Sequence, residues 1–553
     1  MKKILFITAF SCCFTILISQ NNNQYSNPII AGFYPDPSIC KSNNAYYLVN
    51  STFSYFPGLP IFKSYDLVHW KQIGNVIERA SQMNFDSAGV SRGLFAPTIR
   101  FHDGIFYVTC TLVDGNGNFV VTSTNPSGPW SNPVWLPEVD GIDPSLFFDG
   151  DKAYIIYNSI PPDNKSFYNG HRTIRINEFD AKNLKIISTN RILVNGGTDI
   201  SKKPSWIEGP HLIKKDGNYI LYAAQGGTGF DHSEVAFKSN SIFGPFIPYE
   251  KNPILTQKNV DRNRKYPITS TGHADLVETE NGKWEAVFLG CRPYETDFYN
   301  TGRETFLAPV EWKDGWPIIN PKFETVQYHY AIPLPITKIK NGENYAGNFS
   351  YKDNFKSKKL QKGWLFLRAP KTKWYNLLNN ELSIHLQPQT CFGKINPALI
   401  ARRQQHLNCT AITTISFNAK SENEKAGLLI FQNEEHYYFL AQSIQNNNPC
   451  IQLLKSSTQG EELIASSPII LNPKNIELKI EAKEGTYAFY FSVNNKDWKI
   501  LAENIDAKFL STKVASGFVG SIFALYGTSN GIESSNSAYF REFQYTGNDK
   551  PYE

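Results

Sequence analysis

Residues 141–158 read GIDPSLFFDGDKAYIIYN, and the same order of residue types returns four more times before residue 291. A short polar or proline-bearing lead is followed by a few apolar residues, a turn signal and an aromatic-rich apolar run. The other copies are YPDPSICKSNNAYYLVNSTF from Tyr34, FAPTIRFHDGIFYVTCTL from Phe95, IEGPHLIKKDGNYILYAA from Ile207 and TGHADLVETENGKWEAVFLG from Thr271. Four of the five carry HDG, DG, KDG or ENG in the middle, and Asp-Gly or Asn-Gly between apolar runs marks a tight hairpin between strands. A repeat of roughly 45 to 65 residues, with about four strands' worth of chain per unit, predicts a β-propeller, and five units predict five blades. Three connecting segments also echo one another: SYDLVHW from Ser64, TNPSGPW from Thr124 and SNSIFGPF from Ser239. They are assigned to outer blade strands. No long segment has helical periodicity, so the chain is expected to be all-β.

In a propeller the first strand of each blade lines the axis, and its leading residues face one mouth of the channel. The five leading positions hold Asp36, Ala96, Asp143, Glu208 and, in GHAD, Ala274 or one of its neighbours. One such carboxylate alone more often caps a turn. Three at equivalent positions repel one another, a cost that points to chemistry. Glycoside hydrolysis needs one carboxyl group to protonate the leaving oxygen and another to activate water or attack the sugar. A third, kept ionised beside the acid, raises the acid's pKa. Such a set requires no cofactor. Asp36 sits between Pro35 and Pro37 in FYPDPSI (33–39), unsuited to a strand interior but suited to holding a carboxylate with little freedom.

The ordered set YPDPS, GIDPSLFFD, WIEGPHL, GHADLV and GRETFL resembles glycoside hydrolase family 43, in particular its β-xylosidase and α-L-arabinofuranosidase members. The resemblance runs from about Asn27 to Pro335 and continues more weakly to the end. It implies an inverting, exo-acting hydrolase of plant cell-wall oligosaccharides, releasing xylose from β-1,4-xylo-oligosaccharides or, alternatively, arabinose from arabinan and arabinoxylan side chains. It matches Asp36 to the general base, Glu208 to the general acid and Asp143 to the residue that tunes and orients the acid. Arg303 matches the arginine that contacts sugar hydroxyls, and Phe53 and Phe95 match aromatic walls of the sugar subsite. Many relatives carry Trp where Phe95 stands. His273 matches the histidine that reaches the axis, where some relatives hold a largely hydrated calcium ion, which makes a structural axial metal an expectation. A non-catalytic glycan-binding propeller and a retaining fructan hydrolase are the rival readings; the first is expected to lack at least one of the three acids, all present here.

Proline falls from 25 in residues 1–340 to 7 in the remaining 213, and the repeat stops there. The expected domains are therefore a propeller over 27–340 and a second unit over 345–548, with TKIKNGENYAGN (337–348) between them. Alternating stretches such as NIELKIEAKEGTYAFYFSV predict a β-sandwich, which resembles the concanavalin-like domain that follows many family 43 β-xylosidases. MKKILFITAFSCCFTILIS, ahead of a polar Asn/Gln run, reads as a signal peptide over 1–19, so the chain is expected to be exported, periplasmic or extracellular, without a membrane span. Lipid anchoring through Cys12 or Cys13 is the lesser alternative. Net charge of +5 over 553 residues is small and scattered, which gives no footprint for nucleic acid. The other six cysteines are widely and irregularly spaced and are expected to be buried thiols.

Overall fold

The computed structural model describes residues 23–337, 343–469, 474–494 and 496–553. The signal-peptide reading falls outside them, as does most of the basic part of the expected linker. Among the described residues the only α-helix is Thr512–Ala515, and no helix is long and apolar enough to cross a membrane.

Each sequence repeat becomes one antiparallel blade, giving five. The innermost strands are Ser38–Ser42, Thr98–His102, Ile142–Asp149, Glu208–Lys215 and Thr269–Glu278. Asp-Gly pairs close hairpins as their chemistry dictates: Asp103-Gly104 and Asp216-Gly217 both have positive φ at the two turn residues, the twist-matched geometry of a two-residue loop. The ring is tied where it starts and ends. Gln24–Ser26 pairs with His329–Ala331, and the Asn27 side chain bonds both N–H and C=O of Leu307.

The three echoing segments have a different place from the one expected. SYDLVHW, TNPSGPW and SNSIFGPF follow the ends of the strands Gly58–Ser64, Gly117–Ser123 and Ser233–Ser239 and turn the chain toward the fourth strand of their blades. Their Asp, Pro and Gly content is turn chemistry. The recurrence marked a connection rather than a strand.

Two eight-stranded sheets form the second domain. One of them does not stop at the domain boundary: Tyr55–Phe56, from the propeller, pairs with Leu365–Leu367 at its edge. Buried charge ties the domains as well. Arg292, 1% exposed, bonds Glu304 at 2.6 Å within its blade and Asp549 at 2.7 Å near the end of the chain. Cys40, Cys110, Cys291, Cys391, Cys409 and Cys450 are all buried free thiols, as their spacing suggested.

Candidate active site

The inner strands carry β-bulges where the site residues stand. Register shifts fall between Ile142 and Ser145, between Glu208 and His211, and on both sides of Gly272. A bulge re-aims a side chain out of the alternating pleat. Asp36, Asp143 and His273 share positive φ values of 52°, 56° and 53°, so the fifth leading position belongs to His273. Ala274 is buried behind it and donates its N–H to Glu234.

Asp36, Asp143, Glu208, Phe53, Phe95, His273 and Arg303 all line one pocket of about 400 Å³. Asp36 is 5% exposed. Its Oδ1 accepts from Arg303 Nη1 at 3.0 Å and lies 3.9 Å from His273 Nδ1, and its Oδ2 accepts from Ser51 Oγ. Burial alone would raise this carboxyl, yet Arg303, His273 and Ser51 together hold it below the usual carboxylate range. The backbone before it is fixed by Asn50, whose amide donates to the carbonyls of Tyr34 and Pro35.

Asp143 and Glu208 behave in the opposite way. Burial raises both, and nearby carboxylate charge raises them further; Glu208 is pushed up to about 7. Asp143 Oδ2 accepts the Gly209 N–H at 3.1 Å, a bond that favours its ionised form and anchors the peptide next to Glu208. Glu208 has no such donor among the described residues, so the proton of the pair rests on Glu208. Up to about pH 7 the pocket thus holds an ionised carboxylate at Asp36 and a protonated carboxyl at Glu208.

Arg303 Nε is buried without a partner, a donor left over for a ligand oxygen. The apolar wall is built from three rings. Phe53 and Phe95 meet edge to face at 5.7 Å, and Phe518 stacks on Phe53 at 5.9 Å and meets Phe95 edge to face at 5.8 Å.

Comparisons with known proteins identify the family. The sequence pattern of glycosyl hydrolases family 43 covers residues 25–317, and that of the β-xylosidase C-terminal concanavalin A-like domain covers 352–546. The chain belongs to glycoside hydrolase family 43. It is 37% identical to a "Xylosidase/arabinosidase" of Butyrivibrio fibrisolvens, across 94% of this chain and 98% of that protein. It is 35% identical to a "Non-reducing end alpha-L-arabinofuranosidase" of Bacteroides ovatus, across 96% of each. Among solved structures, a "GH43_12" protein retrieved from a capybara gut metagenome superposes with a TM-score of 0.85 at 39% identity, across 92% of this chain and 95% of that one.

Phe518 is the wall that sequence reasoning missed in this family 43 chain, because it comes from the sandwich, where no repeat or motif pointed to it. Its N–H donates to Ser91 Oγ at 2.8 Å. Gly520 packs so tightly on Thr301 and Gly302 that a Cβ there would lie 2.5 Å from the Thr301 backbone. Arg92 and Trp206 also line the pocket. Arg92 is held by Asp114 through two bonds of 2.6 Å.

Across the axis, where a largely hydrated calcium ion beside His273 is the expectation, protein groups bond to one another. Each blade sends one side chain into a knot across the axis: Ser38, Arg100, Ser145, His211 and Asp275. Arg100 donates to Asp275 at 2.8 Å and sits 2.9 Å from His211 Nδ1, which in turn is 2.9 Å from Ser145 Oγ; Ser38 donates to Asp275 at 2.7 Å. A guanidinium thus takes the one carboxylate of the knot, while calcium prefers six to eight oxygen ligands. Among the described residues no group of three or more His, Cys, Asp or Glu side chains is placed to hold a metal.

Proposed function

We propose that this family 43 enzyme is an exo-acting, inverting pentosidase that releases xylose from the non-reducing ends of β-1,4-xylo-oligosaccharides. Asp36 activates the attacking water, Glu208 protonates the leaving oxygen, and Asp143 keeps Glu208 protonated and fixes its backbone. Arg303 holds the terminal sugar through its spare Nε–H, between the rings of Phe53, Phe95 and Phe518. The observation that carries the reading is one pocket that holds both a carboxylate gripped by Arg303 and Ser51, Asp36, and a buried carboxyl, Glu208, with no such donor among the described residues; the first is thereby held low and the second raised to about 7. Acid and base are then both in their working forms at one pH. The exo mode is supported by Phe518, which walls the pocket from a second domain.

The sugar has a second reading, α-L-arabinofuranose, favoured by the name of the Bacteroides ovatus relative and its nearly full-length match. Initial rates on matched aryl β-D-xylopyranoside and α-L-arabinofuranoside, beside xylobiose and arabinobiose, decide between them. Preference for the xylosides supports the main reading, and arabinose release alone replaces it with the second. Following the anomer first released by NMR tests inversion: an α-xylose product from a β-xyloside supports Asp36 as a base, and a β product makes it a nucleophile instead.

A further inference from the structure

Trp206 has two faces in use. It lines the catalytic pocket, and it also lines a second, open concavity of about 360 Å³ together with Phe167, Tyr168, Gly170, His171 and Arg172. These residues belong to the connection between the strands Lys152–Ser159 and Thr173–Asp180.

That connection is built as a platform. His171, 2% exposed, lies 2.8 Å through Nε2 from Asn195 Oδ1 and accepts the Phe167 N–H at Nδ1. Asn195 Oδ1 can only accept, so Nε2 carries the proton. The rings of Phe167 and Tyr168 stack on this fixed imidazole at 5.3 and 4.9 Å, within 21° and 23° of parallel. Phe167 is nevertheless 71% exposed. Phe167, Tyr168 and Trp206 thus set three rings around one concavity, and a contiguous exposed apolar patch, unlike a single exposed ring, marks a binding surface. Trp206 is fixed by its N–H to Gly170 O at 2.8 Å. The Arg172 guanidinium lies 4.0 Å over the indole, with its Nε buried and unpartnered.

The direction of the substrate follows from Glu208. The acid must stand beside the leaving oxygen, so the leaving chain exits on its side of the pocket. Trp206 is two residues before Glu208, and Arg172 is close enough for its charge to act on the Glu208 carboxyl. We propose that Trp206, Arg172 and Phe167 form binding subsites for the leaving portion of the substrate, an oligosaccharide at least two sugars long. Pyranose faces stack on the rings, and Arg172 donates to a hydroxyl oxygen. This rests on the glycosidase reading above and adds a preference for chain length.

The test compares kcat/KM on an aryl β-D-xyloside, xylobiose, xylotriose and xylotetraose, or the matching arabinose series, in the full chain. Wild type is expected to rise from the disaccharide to the tetrasaccharide. In Phe167→Ala the ratio of tetrasaccharide to aryl glycoside falls about five- to tenfold, the cost of losing one aromatic anchor. Phe167→Trp restores it to within about twofold. Arg172→Gln lowers the same ratio. A flat length profile in wild type, or an unchanged ratio in Phe167→Ala, overturns the subsites and leaves the pentosidase standing. If wild type releases sugar from none of these glycosides, the pentosidase reading itself falls, and the subsites with it.

Discussion

Replacing Asp143 by Asn should move the alkaline limb of the pH profile downward. The Glu208 carboxyl rises from 4.5 to about 7, a shift on the order of a few kcal/mol in favour of its proton. Burial is the largest cause and survives the substitution, as does the charge of Asp36. What disappears is the charge that Asp143 and Glu208 impose on each other, the largest cause after burial in raising Asp143. The amide oxygen of Asn can still accept the Gly209 N–H, so the backbone beside the acid is kept. The limb is therefore expected to drop by about one pH unit, stopping well short of the ordinary carboxylate range. One unit is about a tenfold loss of protonated acid above the new limb. The assay is kcat/KM between about pH 4 and pH 9, on xylobiose and on an aryl glycoside whose leaving group needs little protonation. Xylobiose should show the displaced limb and the aryl glycoside much less of it. A limb that stays near 7, or rises, would refute the assignment of Asp143 as the charge that keeps Glu208 protonated.

Arg303→Gln should shift the opposite limb. The base works ionised, so activity is lost as pH falls through its pKa; removing the guanidinium that holds Asp36 down should move that loss to higher pH and also raise KM. A raised KM with an unmoved acid limb would reduce Arg303 to a sugar contact. Phe518→Ala removes two ring pairs, together worth about 1–3 kcal/mol; a lowered Tm and about a tenfold fall in kcat/KM on xylobiose are expected, and full activity would show that the sandwich does not shape the pocket. Dialysis against a chelator should leave kcat/KM unchanged, because the axial knot satisfies its charges with protein groups. Activity that vanished and returned with calcium would show that the knot opens to admit a metal.

The propeller and the three carboxyls of its pocket were legible because pocket and repeat coincide. Asp36 and Asp143 stand at one position of a recurring unit and Glu208 one residue ahead of it, where Gly209 takes the positive φ, so three weak signals became one strong one. His273 occupies the same position in the fifth unit, but the double register shift around Gly272 blurred the alignment by a residue. Ser51 and Asn50 were illegible, since a hydroxyl and an amide ahead of a loop have no spacing that predicts a partner across a blade. The axial knot was illegible for a related reason: its five side chains are chemically unlike, and Arg100 stands two residues further along its strand than the other four do. Phe518 carries no local signal at all, being one of the chain's 38 phenylalanines and lying in a domain without the repeat.

The pocket and the domain interface are one piece of structure, which explains why a sandwich should persist beside a complete propeller. Phe53 pairs with Leu94 of the second blade through both its N–H and its C=O. One residue later, the Ser54 carbonyl accepts the N–H of Arg368 from the sandwich, and Tyr55–Phe56 then join the sandwich sheet. From the other side, Phe518 is held by Ser91 and Gly520 by Thr301 and Gly302, immediately before Arg303. The ring wall and the guanidinium that grips Asp36 therefore each have a sandwich segment at their backs. Both the ring wall and the grip of Arg303 on Asp36 thus depend on contacts that reach into the sandwich. In this chain the second domain supplies one wall of the pocket, Phe518, and packs behind two others.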